Sequence, residues 1–166
     1  MTKIFVKIYA WFRGLFDKKK PIKDEKLEEF FIESDMKEFS DKINSFEYKS
    51  DAIGGLIDVT RSPEHFFDET ITVGRDCDDW ARMWSYWGNY HGYRAFEYIL
   101  VNPSAVFSTA HIITVLKNGT EIILCNYRPI KSGFKTVEEA VEYMKEAWPT
   151  KYEKLCYVKY KEFEAA

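Results

Sequence analysis

Residues 111–126 read HIITVLKNGTEIILCN, two short apolar runs on either side of a polar segment that contains Asn118-Gly119. Runs rich in Ile, Val and Leu favour β-strands. Asn-Gly between two such runs is the strongest short-range signal of a β-hairpin, because both residues accept the positive φ of a tight turn. We therefore predict strands over 111–116 and 121–125, joined by a two-residue turn at Asn118-Gly119.

The predicted turn also fixes which residues face each other across the hairpin. With Asn118-Gly119 as the turn, Lys117 pairs with Thr120, and His111 stands directly opposite Asn126 on one face of the sheet. The Cβ atoms of such cross-strand pairs lie about 4.5–5.5 Å apart, close enough for a side-chain hydrogen bond. A base oriented by a polar neighbour is the arrangement that nucleophilic catalysis requires, so the pair is a candidate catalytic element.

The segments on both sides of the hairpin complete a pattern of helices followed by strands. Periodicity and strand propensity predict helices at 24–44, 78–90 and 136–148, and further strands at 94–101 and 155–160. Thr136 and Glu139 form a capping box at the start of the last helix. The turn-rich stretch 50–70 predicts a surface loop with one short helix. Because helices come first and mostly antiparallel strands follow, the predicted fold class is α+β.

Length and composition are those of an ordinary globular domain. The 166 residues, 46% hydrophobic and 31% charged, suffice for one core without disulfide support. The net charge of −3 gives no case for nucleic-acid binding.

Three widely spaced cysteines without a CxxC pair indicate neither a complete disulfide framework nor a zinc site, so we expect a reducing, cytoplasmic location. No apolar run approaches the roughly 18 residues of a membrane span.

The first twenty residues form a basic arm, which we separate from a domain at 21–166. The arm contains six Lys or Arg residues and a single Asp. On a helical template its apolar residues fall on one stripe, made of Ile4, Ile8, Trp11, Phe12 and Leu15. A basic amphipathic helix can lie on an anionic membrane or dock on a partner protein. It can equally pack its stripe on its own domain, and periodicity does not distinguish these alternatives.

Cys77 is the candidate nucleophile. It lies in the run GRDCDDWA at 74–81, at the predicted N-terminus of a helix, where the helix dipole and the backbone N–H groups favour the reactive thiolate. The carboxylates of Asp76, Asp78 and Asp79 oppose this effect unless they are paired elsewhere. Free cysteines are commonly buried and inert, but we expect three flanking carboxylates to keep this position out of the core.

Three histidines could serve as the base for this thiol. His65 lies in a proline-containing loop, and His91 follows a predicted helix, where histidine is common on dipole grounds alone. His111 begins an apolar strand, where the usual role of a lone histidine is a satisfied edge residue. The predicted pairing with Asn126 favours a catalytic role for His111 instead.

The run DCDDWA at 76–81 resembles the nucleophile motif DC(E/D)D(F/W/Y)A of the bacterial transglutaminase-like cysteine peptidases. The run TAHII at 109–113 resembles the histidine strand of that family. The upstream segment is similar in its spacing of Tyr48, Asp51, Asp58 and the run SPE at 62–64. The resemblance covers about residues 45–130.

This resemblance implies a papain-like fold, in which a nucleophile helix packs on a mostly antiparallel sheet that carries the other catalytic residues. It implies cleavage of an amide bond in a peptide or protein substrate through a thioester, with Cys77, His111 and Asn126 as the catalytic triad. The family normally carries Asp at the third position; Asn126 can still orient an imidazole, but the change weakens a case for protein cross-linking. An acyltransferase with the same triad and a catalytically silent binding module are the alternatives.

Some relatives of this kind bind calcium through carboxylates beside the nucleophile. Asp76 and Asp78 match those positions. Two carboxylates are too few to define a site for an ion that usually takes about 6–8 oxygen ligands. We therefore expect an enzyme that requires no cofactor.

Overall fold

Helices and antiparallel strands make up the computed structural model, which describes residues 7, 8, 11, 21–49, 62–71, 75–101, 111–149 and 155–164. The helices are α1 (Glu25–Glu33), α2 (Met36–Asn44), α3 (Pro63–Phe67), α4 (Cys77–Tyr90), α5 (Val137–Glu142) and α6 (Met144–Ala147). The strands are β1 (Arg94–Val101), β2 (His111–Asn118), β3 (Glu121–Cys125), β4 (Pro129–Ser132) and β5 (Cys156–Phe163). The α+β class is confirmed. None of the described helices has the length and apolarity that crossing a bilayer requires.

The five strands form one sheet in the order β4-β3-β2-β1-β5, with every neighbouring pair antiparallel. Side chains alternate between the two faces along each strand, so each face has its own apolar cluster. On one face, Ile99 and Ile112 pack against Ala81 of α4. On the other face, Phe96 and Ile113 belong to a cluster that includes residues of α5 and α6. The sheet therefore separates α4 from the α5–α6 pair.

The predicted helix at 24–44 is two helices. Asp24 caps α1 by accepting the Leu27 N–H at 3.0 Å, and Asp35 caps α2 by accepting the Glu38 N–H at 2.7 Å. An aspartate at each N-cap restarts the helix while the apolar spacing continues across the break. Both helices therefore direct apolar residues, such as Phe31 and Phe39, into the core around α4.

The predicted helix at 136–148 is also divided, into α5 and α6, with a turn at Tyr143. Thr136 accepts the Glu139 N–H at 3.0 Å, as predicted. The reciprocal bond goes elsewhere, because the Glu139 carboxylate accepts the N–H of Lys135 and not that of Thr136. Strand β4 was not predicted from the sequence, and the strand predicted at 155–160 extends to Phe163.

The hairpin of β2 and β3 forms, but its turn is one residue later than predicted. Asn118 pairs with Glu121, and Gly119-Thr120 makes the turn, with Gly119 at a φ of 56°. The pairing therefore shifts by two positions, and His111 is not directly opposite Asn126. Because side chains repeat every two residues along a strand, a shift of two leaves both residues on the predicted face.

Candidate active site

Helix α4 begins at Cys77, and its N-terminus is closed by a capping box. The Asp76 side chain accepts the backbone N–H of Asp79, and the Asp79 carboxylate accepts the Asp76 N–H at 3.3 Å. These bonds satisfy N–H groups that a helix end otherwise leaves without partners. Two of the three carboxylates beside Cys77 therefore have a structural role in starting the helix.

Cys77 lies outside the core, as expected, but the three carboxylates beside it are buried. Asp76, Asp78 and Asp79 are 8%, 2% and 3% exposed, whereas Cys77 itself is partly exposed. The helix cap holds two of them, Asp76 and Asp79, at the start of the helix. The thiol remains the accessible group of this turn, which is the property that a nucleophile needs.

The segment before Cys77 is held by a buried arginine. The Arg75 guanidinium donates to the carbonyl oxygens of Phe66 at 2.7 Å and of Asp68 at 2.6 Å. The backbone of Arg75 exchanges two hydrogen bonds of 2.9 Å with Lys49. Since Arg75 is 5% exposed, these contacts fix the chain two residues before Cys77 against both α3 and the segment after α2.

Helix α4 lies along β2, and the two run in the same direction. The Thr114 hydroxyl donates to the Ala81 carbonyl at 2.7 Å, and Ala81 packs against Ile112. Near the other end of the helix, Gly88 is so close to Leu116 that an added Cβ would lie 2.5 Å from Leu116 Cδ2. The N-terminal end of α4 is therefore at the end of β2 where the strand begins, which brings Cys77 and His111 to the same end of the helix–strand pair.

His111 and Asn126 are joined by a buried hydrogen bond of 2.8 Å between Nε2 and Oδ1. Each residue is 7% exposed. The predicted contact is thus confirmed even though the predicted register is wrong. Asn126 engages Nε2, which leaves Nδ1 as the nitrogen that can face the thiol. An amide oxygen accepts hydrogen bonds and donates none, so Nε2 carries the hydrogen in this contact.

Asn126 reaches His111 diagonally because the chain turns immediately after β3. Its backbone N–H donates to the Arg128 carbonyl at 3.0 Å and closes the turn. The Asn44 side chain, at the end of α2, donates to the Tyr127 carbonyl at 2.7 Å. The position of Asn126 therefore depends on a contact between this turn and the helical layer.

Aromatic rings line the region beside the imidazole. The Tyr127 ring lies 5.8 Å from the His111 ring and 5.6 Å from the Trp80 ring, measured between centroids. Tyr48 is 5.9 Å from Tyr127 and is 50% exposed. Trp80 is buried, as expected for a residue that supports the nucleophile helix. Tyr48, Trp80 and Tyr127 together form an aromatic wall. This wall extends from the surface at Tyr48 to the His111 ring and can contact an apolar part of a substrate.

A buried ion pair fastens the middle of α4 to the sheet. Arg82 binds Glu97 of β1 through Nε–Oε1 at 2.8 Å and Nη2–Oε2 at 3.1 Å, and both side chains are 2% exposed. The Ser85 hydroxyl donates to the same carboxylate at 2.8 Å. A bidentate arginine with a further hydroxyl is the geometry that lets a buried pair offset its desolvation.

The other two histidines lie in different surroundings. His91 Nε2 is 3.0 Å from the Phe31 carbonyl oxygen, and its ring stacks on Trp87 at 4.2 Å, consistent with the structural role expected for it. His65 is in the short helix α3, within the stretch where one short helix was predicted. Asp51, Asp58, Thr109 and Ala110, which contribute to the family resemblance, lie outside the described residues.

Asp76, Cys77 and Asp78 each offer a metal-ligand atom, and these atoms lie within 4.8 Å of one another. As a calcium site this set fits poorly, because it supplies a sulfur and two carboxylates where calcium takes about 6–8 oxygen ligands. The Asp76 carboxylate is also engaged in the helix cap. The donor set therefore does not fit a calcium ion.

The three cysteines differ in burial, and this predicts the order of their alkylation. Cys125 is completely buried, and burial raises the pKa of its thiol, so it stays protonated. Cys156, the first residue of β5, is partly exposed. With iodoacetamide at low excess, we expect Cys77 to react first, Cys156 later and Cys125 only on unfolding. Peptide mapping by mass spectrometry measures the order, and earlier labelling of Cys125 or Cys156 contradicts the assignment of Cys77.

Sequence reasoning missed the residues that hold the site together. Arg75 directly precedes the motif DCDDWA, and Tyr127 directly follows Asn126. For both, closeness in sequence to a candidate site residue was the available signal. Thr114 lies in a run that predicts an apolar strand, although its hydroxyl between Ile113 and Val115 indicates a buried polar contact. The Arg82–Glu97 pair joins residues of opposite charge on a helix and a strand, and no local pattern relates them.

Comparison of the chain with protein-family models, with curated proteins and with solved structures gives no match. The assignment of a function therefore depends on the geometry of the site and on the resemblance of its motifs.

Proposed function

We propose that this protein is a cysteine hydrolase that cleaves a peptide-type amide bond, with Cys77 as nucleophile, His111 as general base and Asn126 as the residue that orients the base. The observation that carries the proposal is the buried 2.8 Å hydrogen bond between His111 Nε2 and Asn126 Oδ1. It lies at the same end of β2 as the start of α4, where Cys77 is partly exposed. A papain-like arrangement of helix and sheet is part of the proposal.

In the first half of the reaction, His111 Nδ1 takes the proton of the Cys77 thiol. The sulfur attacks the amide carbonyl carbon, and the electron pair of the C=O bond moves to oxygen. The Cys77 backbone N–H, in the first turn of α4, is suited to stabilise that oxyanion. When the C–N bond breaks, the imidazolium returns its proton to the leaving amine, and a thioester remains on Cys77.

In the second half, His111 takes a proton from water, and the hydroxide attacks the thioester carbonyl. The C–S bond then breaks, the carboxylic acid leaves, and the proton returns to the sulfur. Throughout, Asn126 accepts the Nε2 hydrogen and keeps Nδ1 directed to the reacting atoms. A peptide or protein is the proposed substrate, and the wall formed by Tyr48, Trp80 and Tyr127 would contact an apolar residue of it.

The proposal is tested without a known substrate by the reactivity of Cys77 at pH 6. A thiolate paired with an imidazolium persists at this pH, whereas an ordinary thiol titrates near pH 8.5. We expect the alkylation rate of Cys77 at pH 6 to fall by at least about tenfold in His111→Ala, because the deprotonated fraction collapses. The rate is measured by stopped labelling and intact-mass spectrometry.

Matched variants separate this effect from general exposure of thiols. Cys156→Ser removes another partly exposed cysteine and should leave the rate at Cys77 unchanged, and Cys77→Ala should abolish rapid labelling. His91→Ala changes a histidine outside the site and should not slow Cys77 at pH 6. Equal rates in wild type and His111→Ala, with both proteins folded, would rule out His111 as the base.

A further inference from the structure

On the sheet face opposite α4, the structure contains a groove of about 660 Å³ that is rich in lysine. Its floor is apolar and includes Phe96, Tyr98 and Tyr157. Register places Lys159 beside Tyr98 on neighbouring strands, so this lysine borders the aromatic floor. The other lysines that line the groove are Lys7, Lys117 and Lys135.

The charge of the groove contrasts with the acidic character of the whole chain. Four lysines line it, and Glu138 is the carboxylate among the lining residues that the structure describes. Lys159 also pairs with Glu162 at 2.7 Å, which partly offsets its charge. The chain as a whole carries a net charge of −3, so this concentration of positive charge is local. A surface of this kind attracts anions.

Lys7 connects this groove with the basic arm. Lys7, Ile8 and Trp11 have helical backbone, and all three side chains are exposed. Ile8 is 55% exposed and Trp11 is 67% exposed, although both belong to the predicted apolar stripe. Residues three apart lie on one side of a helix, so these two apolar side chains are adjacent, and Lys7, which lines the groove, directly precedes Ile8.

We propose that this face docks on an anionic lipid bilayer. Ile8 and Trp11 would insert at the headgroup boundary, where tryptophan is preferred, and the four lysines of the groove would contact lipid phosphates and carboxylates. The charge of the arm favours an anionic lipid surface over a groove on another protein as the partner, because the first twenty residues contain six basic residues and one acidic residue. Cys77 begins α4, which packs on the sheet face opposite the groove, so docking of the groove leaves this residue uncovered.

The test is co-sedimentation of the full chain with vesicles of phosphatidylserine and phosphatidylcholine, against vesicles of phosphatidylcholine alone. We expect binding to the anionic vesicles that weakens as salt rises. Lys117→Gln/Lys135→Gln/Lys159→Gln should weaken it by on the order of 100-fold, since each lysine near such a surface contributes about a fivefold factor. Ile8→Ser/Trp11→Ser should weaken binding while leaving the preference for anionic vesicles, because it removes the apolar insertion and keeps the lysines.

The matched control is Lys37→Gln/Lys42→Gln/Lys49→Gln, which removes three lysines around α2, away from the groove. Each of these lysines has a carboxylate partner, namely Asp41, Glu69 or Glu47. The control should bind like wild type, and circular dichroism should show every variant folded. Equal binding by the two triple variants, equal binding to neutral and anionic vesicles, or no binding to either would overturn the proposal.

Discussion

Glu97→Ala should lower the free energy of unfolding by about 3–5 kcal/mol, because it leaves the Arg82 guanidinium buried without its partner. Both side chains are 2% exposed, so water cannot replace the carboxylate without opening the packing of α4 on the sheet. A loss of this size is a large fraction of the roughly 5–15 kcal/mol that stabilises an ordinary domain. Urea denaturation followed by circular dichroism measures the change, which should appear as a lower midpoint of unfolding.

Two companion variants decide whether the loss comes from an isolated buried charge. Arg82→Met/Glu97→Leu removes both charges and should recover much of the stability, since an apolar pair of similar volume often replaces a buried ion pair without loss. Glu164→Ala removes an exposed carboxylate that lies 3.1 Å from Arg94, and it should change stability little. If Glu97→Ala is as stable as Glu164→Ala, the buried pair does not fasten α4.

Asn126→Ala should reduce the rate of amide cleavage by on the order of 10²-fold, because the imidazole of His111 loses the acceptor that fixes its tautomer and direction. The measurement is steady-state kinetics on a substrate selected from a peptide library. The fold should survive, since a single polar contact contributes about 0.5–1.5 kcal/mol net. The loss should therefore be in kcat while the thermal midpoint changes little.

Asn126→Asp is the matched variant, since it keeps an acceptor oxygen at the same reach. It should retain most of the activity and would restore the residue that the resembling family normally carries. Asn118→Ala, in the same hairpin but at its exposed end, should leave the kinetics unchanged. If Asn126→Ala is as active as wild type, Asn126 has no part in catalysis, and the 2.8 Å hydrogen bond is structural alone.

Local patterns predicted the elements well. Strands β1 and β3 begin and end where their sequences indicated, because runs of Ile, Leu and Val are bounded by clear turn residues. Helices were predicted less well where a capping residue interrupts continuous periodicity. Ser34 ends one helical segment and Asp35 starts the next, although the apolar spacing on both sides suits a single helix. A capping residue acts against the tendency of the surrounding residues to continue one helix. The hydrogen bond that the cap makes decides where the next helix begins.

The candidate site was predicted in part: the contact between His111 and Asn126 forms, but the strand pairing that was to produce it does not. Asn118-Gly119 correctly indicated a hairpin, but the glycine occupies the first position of the turn and not the second. The resulting slip of two residues kept His111 and Asn126 on one face, and the bend after Cys125 brought them together. The partners of α4 could not be predicted, because Arg82–Glu97 and Thr114–Ala81 are tertiary contacts without a sequence signature.

Strand β5 covers one side of β1, and this has a consequence for synthesis on the ribosome. The strands emerge in chain order, so β1 waits with an open edge until residues 156–163 are made. Phe163 also completes the surroundings of the buried pair, since its ring lies 4.9 Å from the Arg82 guanidinium. An open edge with apolar neighbours such as Ile99 is a template for pairing with other chains. Nascent chains that stall before β5 is made would therefore associate with one another through β1. A chaperone would be expected to bind these incomplete chains.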